Sequence, residues 1–348
     1  MELYAERKER IGKIRADIEF VWDVILLFRP GIIRLSENQK PLNTYDMFKS
    51  YFKIGWRNLL KNKGYSFINI GGLALGMLVS AFIGLWVYDE VTFNQQHKNY
   101  LQIARVVSHV AIEGETITYS SLPHPVAAEL RNDYNNTFKA VASTRFGERI
   151  ISSGDKVFTR RGCFAEFAFP EIVTLEMNEG NYESFNNPSS ILLSQSLAEA
   201  FFGDPDPLGK EVKIGNADVL QIVGVYKDFP PNSSFYGITY IAPVSLLFAN
   251  NQAMDNWLSS SFEIYVSLSS NSSFEDASNK ISNVLFNHTQ EGTKPRLFLN
   301  PMERWHLYEF RNGKSVGGRL ELVLMISFIG IFILALACIN FVNLSTAR

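Results

Sequence analysis

The sequence predicts a membrane protein of the α+β class, in which two transmembrane helices flank a large mixed α+β extracytoplasmic domain. Two long runs without a charged residue predict the helices, because each run is long enough to cross a bilayer. Short strand-like and helix-like segments alternate over residues 89–320, between the two runs, and predict a folded domain there. We refer to residues 89–320 as the outer domain.

The first apolar run covers residues 64–88 and contains no charged residue over its 25 positions. A soluble helix of this length would present a charged face to water, whereas a membrane helix needs about 20 apolar residues. An export signal is excluded because 63 mostly polar residues precede the run. The run therefore predicts transmembrane helix 1 over residues 66–88. Gly72 and Gly76 have the spacing that lets membrane helices approach closely, so we expect both to pack against another helix.

The second apolar run covers residues 322–347, between Glu321 and Arg348, and is more apolar than the first. It predicts transmembrane helix 2 over residues 321–344. With two spans, both ends of the chain lie on the same side of the membrane.

The charges predict which side that is. Residues 1–63 contain 13 Lys and Arg against 8 Asp and Glu, whereas residues 89–321 contain 19 against 27. Because positively charged flanks of membrane helices stay in the cytoplasm, we expect the N-terminus inside and the outer domain outside. The acidic excess of residues 89–321 also argues against a nucleic-acid-binding surface.

The N-terminal residues are divided by composition. Residues 1–46 are predicted to be a cytoplasmic prefix segment that ends in a linker. Residues 47–65 place aromatic and leucine side chains at helical spacing with basic residues between them, which is typical of an amphipathic helix at a membrane interface. The expected interfacial anchors are Trp56, Arg57, Lys61 and Lys63. Membrane lipid is then a partner; the alternative is a solvated helix with one side against a protein core.

The outer domain is predicted to be mixed α+β, in two subdomains. Hairpins are predicted for "LQIARVVSHVAI" with "EGETITYSS", and within "EVKIGNADVLQIVGVYKDF". A proline begins the helix predicted in "PHPVAAELRNDY". The stretch "PSSILLSQSLAEAFFG" predicts a strand and then a helix that starts at Ser194 and stops at Gly203. A further strand is predicted in "SSSFEIYVSL" and a capped helix in "SSFEDASNKISNVLFNH".

The stretch "GDPDPLGKE", residues 203–211, has some features of a phosphate-binding loop but does not fit one. Five residues rather than four separate Gly203 from Gly209, and Glu211 follows Lys210 where a Ser or Thr is required. We therefore expect a structural turn there.

The other reactive residue types do not form a recognisable site. The five histidines (97, 109, 124, 288 and 306) lack metal-ligand spacing and are expected on surfaces or loops. No Gly-x-Ser-x-Gly motif occurs, and Cys163 has no adjacent histidine motif. A disulfide between Cys163 and Cys338 is not expected. The sequence thus predicts no catalytic residue, no metal site and no cofactor, and a protein that is not an enzyme.

Several stretches, taken in order, resemble one family. They are "YFKIGWRNLLKNKGYSFINIGGLALGM", "ILLSQSLAEAFFGDPDPLGKEVKI", "GVYKDFPPNSSF" and "ACINFVNLSTAR". Together they are similar to the FtsX-like, MacB-like permeases of ABC transporters over most of residues 47–348. The first 35 residues resemble a short prefix domain found ahead of some of these permeases.

The resemblance implies a permease of the inner (plasma) membrane with its large domain in the periplasm. It also implies a cytoplasmic ABC ATPase as partner, a homodimer or heterodimer with another permease, and contacts with a periplasmic adaptor. Such permeases use ATP binding to move the outer domain, for export or for release of a substrate. The family normally continues into two further spans beyond Arg348, so this chain is expected to be a fragment of a longer permease.

A second class of function fits two spans and an outer domain equally well. A membrane receptor or sensor with an extracytoplasmic ligand-binding domain has this architecture. It should carry a cytoplasmic output domain, for which 63 residues are few.

Overall fold

The computed structural model describes residues 49, 53, 57, 60, 61, 63–203, 205–215, 218–248, 255–289 and 294–346. Residues 344–346 are described by their backbone alone. The chain divides into two compact units, Met1–Gly72 and Leu73–Arg348, at a boundary within the first long helix. The described part of the first unit is helical throughout. The second unit contains the rest of that helix, all the described strands and a second long helix.

Both long helices have the length and composition that a membrane span requires. Helix α1 is Lys63–Val91 and the last helix, α6, is Gly318–Thr346, each of 29 residues. At about 1.5 Å per residue, each exceeds the roughly 30 Å of a bilayer core. Their large apolar side chains are mostly exposed, as expected where lipid or another membrane helix covers them. The predicted spans 66–88 and 321–344 lie within these two helices.

Fourteen described strands occur between the long helices. Twelve of them form one sheet with the order β12-β1-β11-β4-β5-β10-β7-β9-β6, to which β2, β3 and β8 add at the side, and β13 and β14 form a separate hairpin. The strands are β1 (Ile103–Ile112), β2 (Glu115–Tyr119), β3 (Leu122–Pro123), β4 (Phe138–Ser153), β5 (Lys156–Ala165), β6 (Met177–Gly180), β7 (Ser190–Ser194), β8 (Glu211–Ile214), β9 (Asp218–Tyr226), β10 (Tyr240–Pro243), β11 (Ser260–Leu268), β12 (Arg296–Pro301), β13 (Glu309–Arg311) and β14 (Lys314–Val316).

In the described residues, four short α-helices accompany the sheet: α2 (Pro125–Asp133), α3 (Phe169–Ile172), α4 (Gln195–Phe202) and α5 (Phe274–Ile281). The buried apolar side chains form three clusters. One joins α2 and α5 to β1, β11 and β12. Another joins α4 to β7, β8 and β9. The third is rich in aromatic rings, among them Phe169, Phe235 and Tyr265. The division into two subdomains stays a prediction, since one continuous sheet links these clusters.

The local elements predicted from the sequence are confirmed. The hairpin β1–β2 turns at Gly114, whose φ of 88° is accessible to glycine at no steric cost. The hairpin β8–β9 is antiparallel as expected. Helix α4 is capped by Ser194, whose hydroxyl accepts a hydrogen bond from the Leu197 N–H, and stops at Gly203 with φ 69°.

The longest antiparallel pair was not predicted. Strands β4 and β5 form a ribbon, which we call the β4–β5 ribbon, with Gly147 opposite Gly162 and Arg149 opposite Arg160. Its hydrophobic residues do not alternate regularly, because each strand is covered by different neighbours along its length. The alternating pattern that marks a half-buried strand is therefore absent from this part of the sequence.

Candidate functional site at the junction of the outer domain and the long helices

The junction centres on Glu90, the last residue but one of α1. Its side chain is only 5% exposed, although the neighbouring Asp89 is exposed. Arg319, the second residue of α6, grips both carboxylate oxygens: Nε lies 2.5 Å from Oε2 and a terminal guanidinium nitrogen 2.7 Å from Oε1. A buried carboxylate requires such a partner, because an unpaired buried charge is strongly destabilising. The pair therefore ties the C-terminal end of α1 to the N-terminal end of α6.

The Glu90 and Arg319 charges would each be unfavourable at their helix end if the other were absent, because each has the same sign as that end of the helix dipole. Glu90 lies at the negative end of the α1 dipole, and Arg319 at the positive end of the α6 dipole. Pairing offsets both effects, so the two helix ends stabilise each other only while they stay in contact.

His306 connects the outer domain to the Glu90–Arg319 pair. Its Nε2 lies 2.6 Å from Glu90 Oε2, and because a carboxylate only accepts, the imidazole Nε2–H donates. The Phe93 ring stacks on the imidazole with centroids 3.6 Å apart and planes 2° from parallel. His306 follows β12, so one carboxylate connects α1, α6 and a segment of the sheet domain.

The chain beyond α1 is anchored by Asn94, which is fully buried and has a φ of 66°. Asparagine tolerates this left-handed conformation better than most residues. Its side chain accepts a hydrogen bond from the Ser234 N–H at 2.8 Å and donates one to the Ser234 hydroxyl at 3.0 Å. Its own N–H donates to the Asn232 carbonyl at 2.9 Å. The "PPNSSF" stretch singled out in the sequence thus holds the segment that leaves α1.

His97 secures the same segment to the aromatic cluster. Its Nδ1 lies 2.5 Å from the Val173 carbonyl oxygen, and its ring packs edge-on against Phe235 at 5.5 Å. Burial lowers the pKa of His97, with the Val173 carbonyl acting in the opposite direction, so the neutral imidazole donates Nδ1–H. The histidines were expected on surfaces or loops, and His97 and His124 do lie in loop segments, but both are buried there, at 2% and 9% exposed. Both fill core positions with a hydrogen-bond partner.

The two long helices also meet along their length. A Cβ added at Gly76 would lie 2.5 Å from the Ala337 Cβ, and one at Gly330 would lie 2.8 Å from Ile83 Cγ2. The Ser80 hydroxyl donates to the Gly330 carbonyl at 3.0 Å. Gly330 was missed in the sequence, although a lone glycine within "FIGIF" is a signal for close packing.

The structure describes all but one of the glycines and basic or aromatic anchors that were predicted from the sequence. Gly76 faces α6, as its predicted packing role requires, while Gly72 is exposed. Arg57, Lys61 and Lys63 are helical and exposed, and Trp56 lies outside the described residues. Their function as interfacial anchors stays a prediction.

The stretch 203–211 is a structural connection from α4 to β8. Gly209 has a φ of 76°, and its N–H donates to the Ile222 carbonyl at 2.9 Å. An open cleft of about 620 Å³ lies beside this connection, lined by residues that include Gln195, Glu199 and Gly203. Within the described ranges, no group of three or more His, Cys, Asp and Glu side chains could hold a metal ion. Cys163 and Cys338 are both free thiols.

Comparison with known proteins places this architecture. Residues 66–284 match the family model of the MacB-like periplasmic core domain. A domain of a protein assigned as a permease from Porphyromonas gingivalis is similar in structure, with a TM-score of 0.52 and 20% identity, over 66% of this chain and 98% of that one. This similarity supports the fold.

Two further solved structures are more distant. The periplasmic region of MacB from Actinobacillus actinomycetemcomitans has a TM-score of 0.44 and 18% identity, over 60% of this chain and 90% of that one. The extracellular domain of the noncanonic ABC-type transporter YknZ from Gram-positive bacteria has a TM-score of 0.43 and 15% identity, over 56% and 99%. The search of curated proteins gave no significant match.

Proposed function

The chain belongs to the family of the MacB-like periplasmic core domain, and on that premise we propose that it is a permease subunit that couples a cytoplasmic ATPase to its outer domain. In this proposal the domain is the periplasmic part of an ABC-type transporter permease of the inner membrane. In the proposed mechanism, movement of the long helices displaces the outer domain, and this displacement drives export or release of a substrate. ATP hydrolysis takes place in the partner subunit.

The observation that carries the proposal is the three-way contact at Glu90. One buried carboxylate holds Arg319 of α6 and His306 of the outer domain, so a displacement of α1 reaches both. Separating the three would leave a carboxylate in a site with little water, which is unfavourable. Moving α1, α6 and the outer domain together therefore requires less free energy than separating Glu90 from Arg319 and His306.

The proposed topology places the basic start of α1 in the cytoplasm and residues 89–320 in the periplasm. The exposed apolar side chains of α1 and α6, such as Phe82 and Phe328, provide area for lipid and for a second permease subunit, as a homodimer or heterodimer. A periplasmic adaptor would bind the outer domain in the same assembly.

Affinity capture tests the partner. The full chain, expressed in its native membrane and extracted in mild detergent, should co-purify with an ABC-type ATPase in an amount close to its own. Capture of a signalling enzyme in its place would instead support the receptor alternative and refute the permease.

Coupling is tested on the same complex with Glu90→Gln. This change removes the charge but keeps the side-chain shape, so we expect the ATPase to stay bound while ATP-dependent changes in hydrogen exchange of residues 89–248 decrease severalfold. Asp89→Asn is the matched control, because it removes a neighbouring carboxylate that is exposed. Equal responses of the two variants would show that the Glu90 contact does not transmit the movement.

A further inference from the structure

A cavity of about 380 Å³ opens where two parallel strands of the sheet end. Strands β5 and β10 are paired in parallel up to Ala165 and Pro243, and both of these residues line the cavity. In open sheets, ligands commonly bind in the crevice beyond the carboxyl ends of parallel strands. The volume lies near the lower end of the roughly 300–1,000 Å³ found for small-molecule sites, so the cavity has room for one small ligand.

An ion pair in this cavity leaves part of an arginine unused. Arg131, in the last turn of α2, donates through one terminal nitrogen to Glu166 Oε2 at 2.6 Å and to the Val141 carbonyl at 3.3 Å. All three residues line the cavity. The Nε of Arg131 and its other terminal nitrogen form no hydrogen bond within the part of the chain that the structure describes. The side chain is 44% exposed, so these N–H groups can still donate to a ligand.

Glu166 is fixed through one carboxylate oxygen and leaves the other accessible. Its Oε2 also accepts a hydrogen bond from the Ser143 N–H at 2.7 Å, and the Glu166 N–H donates to the Ser143 carbonyl at 3.0 Å. Glu166 thereby takes the place of a strand partner for β4, because the pairing of β4 with β5 ends at Thr144 opposite Ala165. Oε1 accepts no hydrogen bond from the described residues, and it is not buried. A cation can therefore bind to it.

The remaining walls of the cavity are mostly apolar. Phe185 is buried, whereas Phe167 is 43% exposed, and both residues line the cavity together with Val244. Asn186 and Ser245 add neutral polar groups. An apolar side chain that covered Phe167 would be removed from water, which is a favourable contribution to binding.

We propose that this cavity binds an α-amino acid with an apolar side chain. The ammonium group of the ligand pairs with Glu166 Oε1, its carboxylate accepts hydrogen bonds from the unused N–H groups of Arg131, and its side chain packs on Phe167. The two charges of an α-amino acid are attached to one carbon atom, which matches two oppositely charged side chains in direct contact. The site does not depend on the transport function proposed above.

Charge balance favours this class of ligand over a simple ion. Arg131 and Glu166 neutralise each other, and a zwitterion preserves that balance. A carboxylic acid without an amine, or an amine without a carboxylate, would instead leave one unbalanced charge in a partly enclosed site, which is unfavourable. Removal of either charged group from the ligand should therefore weaken its binding.

The test uses the full chain in detergent, with L-leucine as the probe and thermal unfolding as the signal. Rising concentrations of L-leucine should raise the unfolding temperature, since a ligand of the folded state stabilises it. L-Leucinamide lacks the carboxylate and 4-methylpentanoate lacks the ammonium group. Each of these analogues should therefore bind at least about tenfold more weakly than L-leucine.

Two variants separate the two ends of the ligand. Glu166→Gln keeps an oxygen that accepts from the Ser143 N–H but removes the charge that pairs with the ammonium group. It should weaken L-leucine binding at least about tenfold and shift the preference towards 4-methylpentanoate, because the Arg131 charge is then unbalanced. Arg131→Gln should act in the opposite sense and shift the preference towards L-leucinamide. A purely structural role of the ion pair would weaken the binding of all three ligands alike.

Glu171→Gln is the matched control. Glu171 also pairs with a basic side chain, that of Lys139 at 2.9 Å, but it lies outside this cavity, so the variant should bind L-leucine like the unmodified chain. The site would be overturned by no shift with L-leucine in the unmodified chain, by equal binding of L-leucine and its two analogues, or by equal loss in Glu166→Gln and Glu171→Gln. If Glu166→Gln folds poorly, Arg131→Gln and the comparison of the analogues on the unmodified chain decide between these outcomes.

Discussion

Replacement of Arg319 by methionine tests the joint at the end of the two long helices. The change removes the guanidinium that contacts both oxygens of Glu90 but keeps a long apolar side chain. Glu90, which is 5% exposed in the unmodified chain, then keeps His306 as its remaining partner. We expect Arg319→Met to destabilise the folded chain and to loosen the segment that follows α1.

The magnitude follows from burial. Removing one partner of a fully buried pair destabilises a protein by about 3–5 kcal/mol. The Arg319 side chain is 48% exposed, so water replaces part of the lost interaction and the expected loss is about 2 kcal/mol. The double variant Glu90→Leu with Arg319→Met leaves no unpaired charge in this pair. It should therefore be less destabilised than Arg319→Met alone, with a coupling energy of at least about 1 kcal/mol.

The free energy of unfolding is measured by denaturant titration of the full chain in detergent, with tryptophan fluorescence as the signal. Arg311→Met is the matched control. Arg311 also pairs with a carboxylate, that of Glu309, but its side chain is 74% exposed, so its loss should change stability by less than about 0.5 kcal/mol. The reasoning is refuted if Arg319→Met is as mild as Arg311→Met, or if the effects of the double variant are additive.

Two further predictions concern the helix pair and the buried histidines. Gly76→Leu should separate α1 from α6, because a Cβ at this position would lie 2.5 Å from the Cβ of Ala337, and it should weaken cysteine cross-linking between the two helices. The control is Gly84→Leu, which has open space around the new side chain and should leave the cross-linking unchanged. Equal cross-linking in the two variants would contradict the packing role of Gly76. Burial lowers the pKa of His97 and His124 below 6.5, so each folded-state imidazole stays neutral while the unfolded one is protonated. Their stabilising contribution is present above pH 6.5 and is lost as the pH falls through that value, by up to about 1.4 kcal/mol per pH unit for each group. The free energy of unfolding is measured as a function of pH, and a constant value below pH 6.5 would contradict this prediction.

The local elements were predictable because their signals are local. Ser194 and Gly203 bound a helix of eight residues, and both act on the backbone within one turn of their own position. Gly114 similarly specifies a tight turn between two strands that are neighbours in sequence. The long helices are predictable for a related reason, since length and apolar composition alone decide whether a segment can span a bilayer.

The candidate site was not predictable in the same way. In the sequence, Glu90 is only the second of two acidic residues that follow the first apolar run, and its partner Arg319 is 229 positions away. No periodicity connects two such residues, because an ion pair depends on where the whole sheet brings the helix ends. The same holds for Arg149 and Arg160, whose opposition depends on the register of a ribbon that the hydrophobic pattern did not reveal.

The sequence by itself determined the two apolar helices, the mixed α+β class of the domain between them and the resemblance to a permease family. These properties depend on composition and on short-range backbone preferences, which act before any tertiary contact forms. The tertiary structure alone decided that Glu90 is buried among α1, α6 and the outer domain, and that Gly330 as well as Gly76 lies at the helix contact. Burial and pairing are properties of three-dimensional proximity, and only the folded chain brings these distant residues together.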